Sequence, residues 1–112
     1  MILHLFGLGD RGRARKLAKL AGRTIDIMER MLLDLPDRSP DRQLVEHHLA
    51  RRRKALERYA MLAHGKTDLQ EQLAPTLRNY EIWKRSMENE IHKFGGNPQT
   101  FVWYLRQIKS DS

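Results

Sequence analysis

Leu17, Leu20, Ala21, Ile27, Met28, Met31 and Leu32 recur at spacings of three and four. That is the period of a helix with one face turned to a core. Asp10 stands ahead of the stripe as a candidate N-cap and Pro36 follows it, so a first helix is expected over about residues 10–35. Ser39, Pro40 and Asp41 then offer a hydroxyl cap, a ring with φ already set for the first turn, and an acid against the positive end of the helix dipole. Leu44, Val45, Leu49, Leu56, Tyr59, Leu62 and Ala63 keep helical phase from there to about residue 64, where Gly65 can take the left-handed conformation that ends many helices. The second helix is therefore expected over 40–64.

Thr67 and Gln70 have the spacing of a capping box, and Leu69, Leu73, Leu77, Tyr80, Met87, Ile91 and Phe94 follow along one face. The pattern predicts a third helix over 67–94. Pro75 lies inside it, lacks an amide hydrogen and crowds the preceding turn, so the helix should kink near that residue or split into a short lead and a main part. Gly95 and Gly96 end the pattern. Asn97 and Pro98 repeat the cap-then-proline device and open a short helix over 98–109, with Phe101, Tyr104, Leu105 and Ile108 inward and Val102 and Trp103 pointing elsewhere. Neither a period-two run of useful length nor an Asn-Gly or Asp-Gly turn occurs. The expectation is an all-α, single-domain bundle over residues 1–112. It has three long helices, the third kinked near Pro75, plus a short C-terminal helix. The short connections favour antiparallel neighbours.

Charge sharpens this picture. Lysine and arginine number 21 against 14 acids, for a net charge of +7 and a pI near 10.1. Residues 1–24 carry a net +5, residues 25–50 a net −3, residues 51–66 a net +5, and the remainder sums to zero. An antiparallel pairing of the first two helices would bring both basic blocks to one end of the bundle and suggests a single basic patch. Arg51, Arg52, Arg53 and Lys54 fan around the second helix at about 100° per residue, with only Glu46 and Glu57 nearby in sequence as partners. The chemistry that answers such a cluster is a polyanion, phosphate above all. Candidate phosphate contacts are Arg51, Arg52, Arg53, Lys54 and Arg58, supported by Arg13, Lys16 and Lys19. Arg52 also lies in phase with Val45, Leu49, Leu56 and Tyr59, so its stem should run along the core edge. Trp83 and Trp103 fall off the apolar stripes and are candidate interface residues, able to stack on a base or anchor a protein contact.

Other chemistries find little support. Cysteine is absent, which excludes disulfides, thiolate metal sites and thiol catalysis. His47 and His48 are adjacent, and His4, His64 and His92 are scattered, so no two histidines share a helix face at metal-ligand spacing. His48 is expected on a helix face at the edge of the core. Glu88 and His92 have ligand spacing but form a lone pair. Glu71, Glu81, Glu88 and Glu90 interleave with Arg78, Lys84, Arg85 and Lys93 as exposed ion pairs do. Neither paired carboxylates nor a serine–histidine arrangement emerges, so the reading is non-enzymatic, with no metal or cofactor. The lead over residues 1–9, with Ile2, Leu3, Leu5, Phe6 and Leu8, is too short for a membrane span and lacks a signal-peptide layout. A cytoplasmic location is expected.

One segment resembles a known motif. Leu17-Ala18-Lys19-Leu20-Ala21-Gly22-Arg23-Thr24, followed by Ile25 to Leu32, is similar to the helix-turn-helix of bacterial repressors such as the Lac repressor family. Ala18 takes the small buried position, Gly22 the turn, and Met28, Met31 and Leu32 the apolar positions of the recognition helix. The resemblance implies a dimeric DNA-binding regulator in which residues 24–32 enter the major groove. Arg23 departs from it, standing where the motif has a buried aliphatic, and Asp26 and Glu29 would face phosphates. The competing arrangement is one continuous helix through Gly22, whose stripe passes that residue in phase.

The leading expectation is a small basic helical subunit that binds nucleic-acid backbone, RNA or DNA, as an accessory component of a larger nucleoprotein assembly. The first alternative is an adaptor or inhibitor that docks on an acidic or nucleic-acid-binding protein surface, with a protein partner or self-association. The helix-turn-helix regulator and membrane-surface association through residues 1–23 stand behind these.

Overall fold

Ser39 shows how local chemistry places the helices. In a computed structural model that describes residues 9–94 and 98–108, its Oγ accepts the Arg42 amide at 3.1 Å and opens helix α2 (Pro40–Ala63), with Pro40 in the first turn. The same helix closes as Gly65 predicts. Gly65 has φ +104°, its amide donates to Leu62 O at 2.9 Å, and the Lys66 amide donates to Met61 O at 3.0 Å. That pair of bonds is a Schellman closure. Helix α1 (Asp10–Asp34) precedes α2. A 3-10 turn (Thr67–Leu69) follows it, then α3 (Gln70–Arg78), α4 (Tyr80–Phe94) and α5 (Pro98–Gln107). The described residues are all helix and connection.

Several expectations are corrected. The third helix is not kinked but takes the other form expected of it, a short lead and a main part, so the described residues form five helices and not three long ones plus a short one. The break falls at Asn79, one turn after Pro75, which remains inside α3. Asn79 donates to Pro75 O from both its side-chain amide, at 3.1 Å, and its backbone amide, at 3.3 Å, while its own carbonyl accepts the Trp83 amide at 3.1 Å. Asp10 is the first helical residue and Gly9 the cap; the Asp10 carboxylate instead accepts from Gln70 Nε2 at 2.6 Å. Leu69 takes the cap position of α3 with no side-chain bond, and the Thr67 side chain of the expected capping box lies outside the described residues. Val102 is buried, not turned outward. The apolar lead at 1–8, the Gly95–Gly96 stop with Asn97, and the end of the last helix at 109 lie outside the described residues.

Helix α1 runs unbroken through Gly22, where an added Cβ would meet nothing within 4 Å. Residues 17–32 therefore form a single helix, and the turn that a helix-turn-helix requires is missing. The reason is in the core: Leu17, Leu20, Ala21, Thr24, Ile25, Met28 and Met31 are all buried in one continuous stripe that a turn would break. The same burial removes this stripe from any membrane surface.

Two apolar clusters stack along the long axis of a 52 × 25 × 22 Å molecule. The first joins Leu17, Leu20, Leu62, Leu73, Leu77 and Met87; the second joins Met28, Met31, Val45, Leu49, Phe94, Phe101 and Leu105. Arg11 Nε donates to Ala63 O at 3.3 Å and Arg42 donates to Leu32 O at 2.7 Å, so α1 and α2 are antiparallel. Arg13 lies over the Tyr80 ring and Met31 clusters with Phe94, so α4 runs parallel to α1. It follows that α2 and α4 are antiparallel to each other.

Candidate nucleic-acid interface

Arg52 sits where α1, α2 and α4 meet. Its guanidinium grips both oxygens of Glu90 at 2.8 Å and also donates to Thr24 Oγ1 at 3.0 Å. The Glu90 side chain is only 3% exposed and that of Arg52 is 20% exposed. Burial works against the charge on Arg52, but the hydrogen bonds and attraction of Glu90 outweigh it and raise the guanidinium above its ordinary value. Burial, then the nearby Glu90, raises the Tyr104 hydroxyl above its ordinary value as well. This node separates the two apolar clusters, and it changes the reading of two residues. Arg52 is committed to protein atoms and does not serve as a phosphate contact. Glu90 is buried, not an exposed pairing acid; its partner lies 38 residues away.

The other candidates divide by direction. Arg53 turns toward α1 and pairs with Glu29. Arg51, one residue before Arg52 on the opposite side from Arg53, turns away from α1. Lys54 and Arg58 share its stripe at spacings of three and four, and all three are exposed. On α1, Arg13 packs over Tyr80 at 5.7 Å, Lys16 is half-buried and Lys19 is exposed. Arg11 and Arg15 reach the last carbonyl of α2 at Ala63, where a cation complements the helix dipole. The two basic blocks therefore share one end of the bundle, as the antiparallel pairing predicts. They do not share one face, because Arg13 lies on the flank of α1 that meets α4, while Arg51, Lys54 and Arg58 lie on the flank of α2 turned from α1.

That flank of α2 borders a seam. α1 packs closely on both α2 and α4, and no comparably close backbone packing joins α2 to α4. Arg52 and Glu90 span the gap. Helix α5 closes the seam at one end against α2 and α4, and α3 with the 3-10 turn closes the other. Trp83 lies seven residues before Glu90 on α4, hence on the same side of the helix, facing the seam. Counting seven residues from each partner of the Arg52–Glu90 pair along antiparallel helices, about 10 Å, sets Trp83 level with Tyr59. Trp83 is 47% exposed and Trp103 of α5 is 58% exposed. Trp103 borders a concavity of about 410 Å³ between α4 and α5, lined also by Ser86, Asn89, Glu90, Lys93, Phe94 and Tyr104. The lining of this concavity comes from α4 and α5 alone, at the end of the seam that α5 closes. A roomier concavity of about 580 Å³ on α1 is lined by Asp26, Glu29, Arg30 and Leu33, whose acids oppose a polyanion.

His48 neighbours the node on α2. It is 7% exposed and its Nε2 has no hydrogen-bond partner. Burial, then the positive charges of Arg52, His47 and Arg51, lower its pKa, with Glu90 opposing. It lies deeper than the core edge expected of it, because α5 approaches the first half of α2 closely. Among the described residues no group of three His, Asp or Glu side chains could hold a metal ion, and no helix is long and apolar enough to cross a membrane. No protein family, curated protein or solved structure matches the chain.

Proposed function

We propose that this chain binds nucleic-acid backbone without catalysing a reaction, as an accessory component of a larger nucleoprotein assembly. The observation that carries the reading is the exposed row of Arg51, Lys54 and Arg58 on the flank of α2 turned from α1, with Trp83 on α4 across the seam and Trp103 beyond it at the α4–α5 concavity. Phosphate contacts from such a row supply affinity without sequence information, and they release counterions, so binding falls steeply with salt. Lys19, and Lys16 beside Arg13, add positive field from the neighbouring helix. Arg52 contributes through its buried pair with Glu90, which holds α2 to α4, and Arg53 is paired at the surface with Glu29. Fluorescence anisotropy with labelled mixed-sequence oligonucleotides, repeated over a range of salt concentrations, tests the proposal. It predicts binding that is similar across sequences and weakens steeply with salt. Absent or salt-insensitive binding contradicts it.

A second reading, docking on an acidic or nucleic-acid-binding protein surface, draws on a different observation. Leu33 is 84% exposed and Ile82 67% exposed, and neither belongs to the cation row. The ratio of absorbance at 260 and 280 nm in freshly purified protein separates the two: co-purifying nucleic acid favours the first, and nucleic-acid-free co-purification with a protein favours the second.

A further inference from the structure

The concavity between α4 and α5 has the composition of a nucleobase pocket. Trp103 provides a broad exposed aromatic face at its wall, and Phe94 and Tyr104 supply an apolar floor. Asn89 brings an amide that both donates and accepts, and Ser86 a hydroxyl. Those are the groups that meet the polar edge of an unpaired base. Lys93 adds a cation at the rim. The one acid in the lining, Glu90, has both oxygens held by Arg52, so its charge is already answered and the pocket does not repel phosphate. Its volume, about 410 Å³, is of the size that small-molecule sites have.

The surroundings extend the argument beyond one base. Trp83 stands one turn before Ser86 on the same side of α4, so a second aromatic face lies along the seam from the first. Arg51, Lys54 and Arg58 run along the opposite edge, giving phosphates a row of partners while bases turn toward the tryptophans. Stacking on a side chain needs a base withdrawn from a duplex, since inside a duplex both faces of each base are covered by the neighbouring pairs. A duplex would meet only the cations.

We infer that the seam takes a single-stranded nucleic acid, with one unpaired base stacked on Trp103 in the α4–α5 concavity and Asn89 and Ser86 at its edge. This rests on the phosphate-binding reading of the α2 cations and adds a strand state to it.

The test compares three labelled probes of equal length: a mixed-sequence single strand, its blunt duplex, and a single strand of abasic sugar-phosphate units. Intrinsic tryptophan fluorescence is read alongside anisotropy. The inference predicts tightest binding to the single strand, quenching of tryptophan fluorescence by that probe alone, and weaker, salt-sensitive binding of the other two. Trp103→Ala should weaken the single strand by about five- to a hundredfold, with the abasic strand unchanged. Trp103→Phe keeps an aromatic face and should restore part of that affinity. Circular dichroism of both variants checks that the fold is intact, as the exposure of Trp103 predicts. Equal binding of all three probes, unaffected by Trp103→Ala, overturns the base pocket and leaves the backbone reading standing. Absence of binding to any probe overturns both. Loss of binding to a protein partner in Trp103→Ala, with nucleic-acid binding unchanged, assigns this surface to protein docking and overturns the inference.

Discussion

Arg52 carries the clearest energetic consequence at the scale of single residues. A bidentate pair this deep contributes little net stability relative to well-packed apolar side chains, but removing one partner strands a charge out of water. Glu90→Gln or Arg52→Met should therefore cost about 3–5 kcal/mol, whereas the double variant Arg52→Met, Glu90→Leu should recover most of that stability. Chemical denaturation of the three proteins checks the cycle; a double variant no more stable than the singles would contradict it. Half of this node is legible in the sequence. Arg52 falls in phase with the apolar stripe, which flags an unusual cation, but Glu90 looks like any acid on a charged helix. Its burial arises from tertiary pairing across 38 residues, which no local spacing reports. His48 supplies a pH prediction. Its pKa is lowered by burial and then by Arg52, so between the folded value and the ordinary one near 6.5 the unfolded chain binds the extra proton. Stability should be fully present above about pH 6.5 and fall as pH drops below it. Thermal melts from about pH 7.5 to 5.5 should show a falling midpoint that His48→Leu flattens; an equally steep fall in the variant would place the titration elsewhere.

Glycines decide the questions that remain at the scale of elements. Gly22 is helical, with open space around its Cβ position, so Gly22→Ala should stabilise α1 by about 0.5–1 kcal/mol. Gly65 has φ +104°, where an L side chain is strained, so Gly65→Ala should lower stability by about 1 kcal/mol or more. Urea midpoints of the two variants should move in opposite directions, and a destabilising Gly22→Ala would show that α1 needs flexibility there. Element boundaries are legible where a side chain or a special φ sets them, as at Ser39 and Gly65. The break at Asn79 is less so, because the apolar stripe passes through it from Leu77 to Tyr80 without losing phase. Only the missing donor of Pro75, one turn earlier, hints at it. Val102 departs from its expected direction for a related reason: a short helix wedged between α2 and α4 buries more of its circumference than a single stripe.

The whole molecule is polar along its length. Pairing α1 with α2 antiparallel brings residues 11–23 beside residues 51–66, while the acid-rich segment 25–50 forms the other end, with ion pairs such as Arg42–Glu46 and Arg106–Asp41. Such separation steers a polyanion to one end before the two surfaces meet. This much is legible from charge blocks and helix order. The division of the cations between two flanks is not, because it depends on which way Arg53 and Arg13 turn, toward Glu29 and Tyr80 respectively. The cations of the α2 row can be neutralised while the buried node stays whole. Changing Arg51, Lys54 and Arg58 together to Gln keeps helix propensity and leaves Arg52 and Glu90 in place. The most direct measurement is therefore the slope of log binding constant against log salt for wild type and this triple variant on one single-stranded oligonucleotide. The account predicts weaker binding and a slope shallower by about 0.7 for each phosphate that the variant no longer neutralises, with the thermal midpoint nearly unchanged. An identical slope in the two proteins would contradict it.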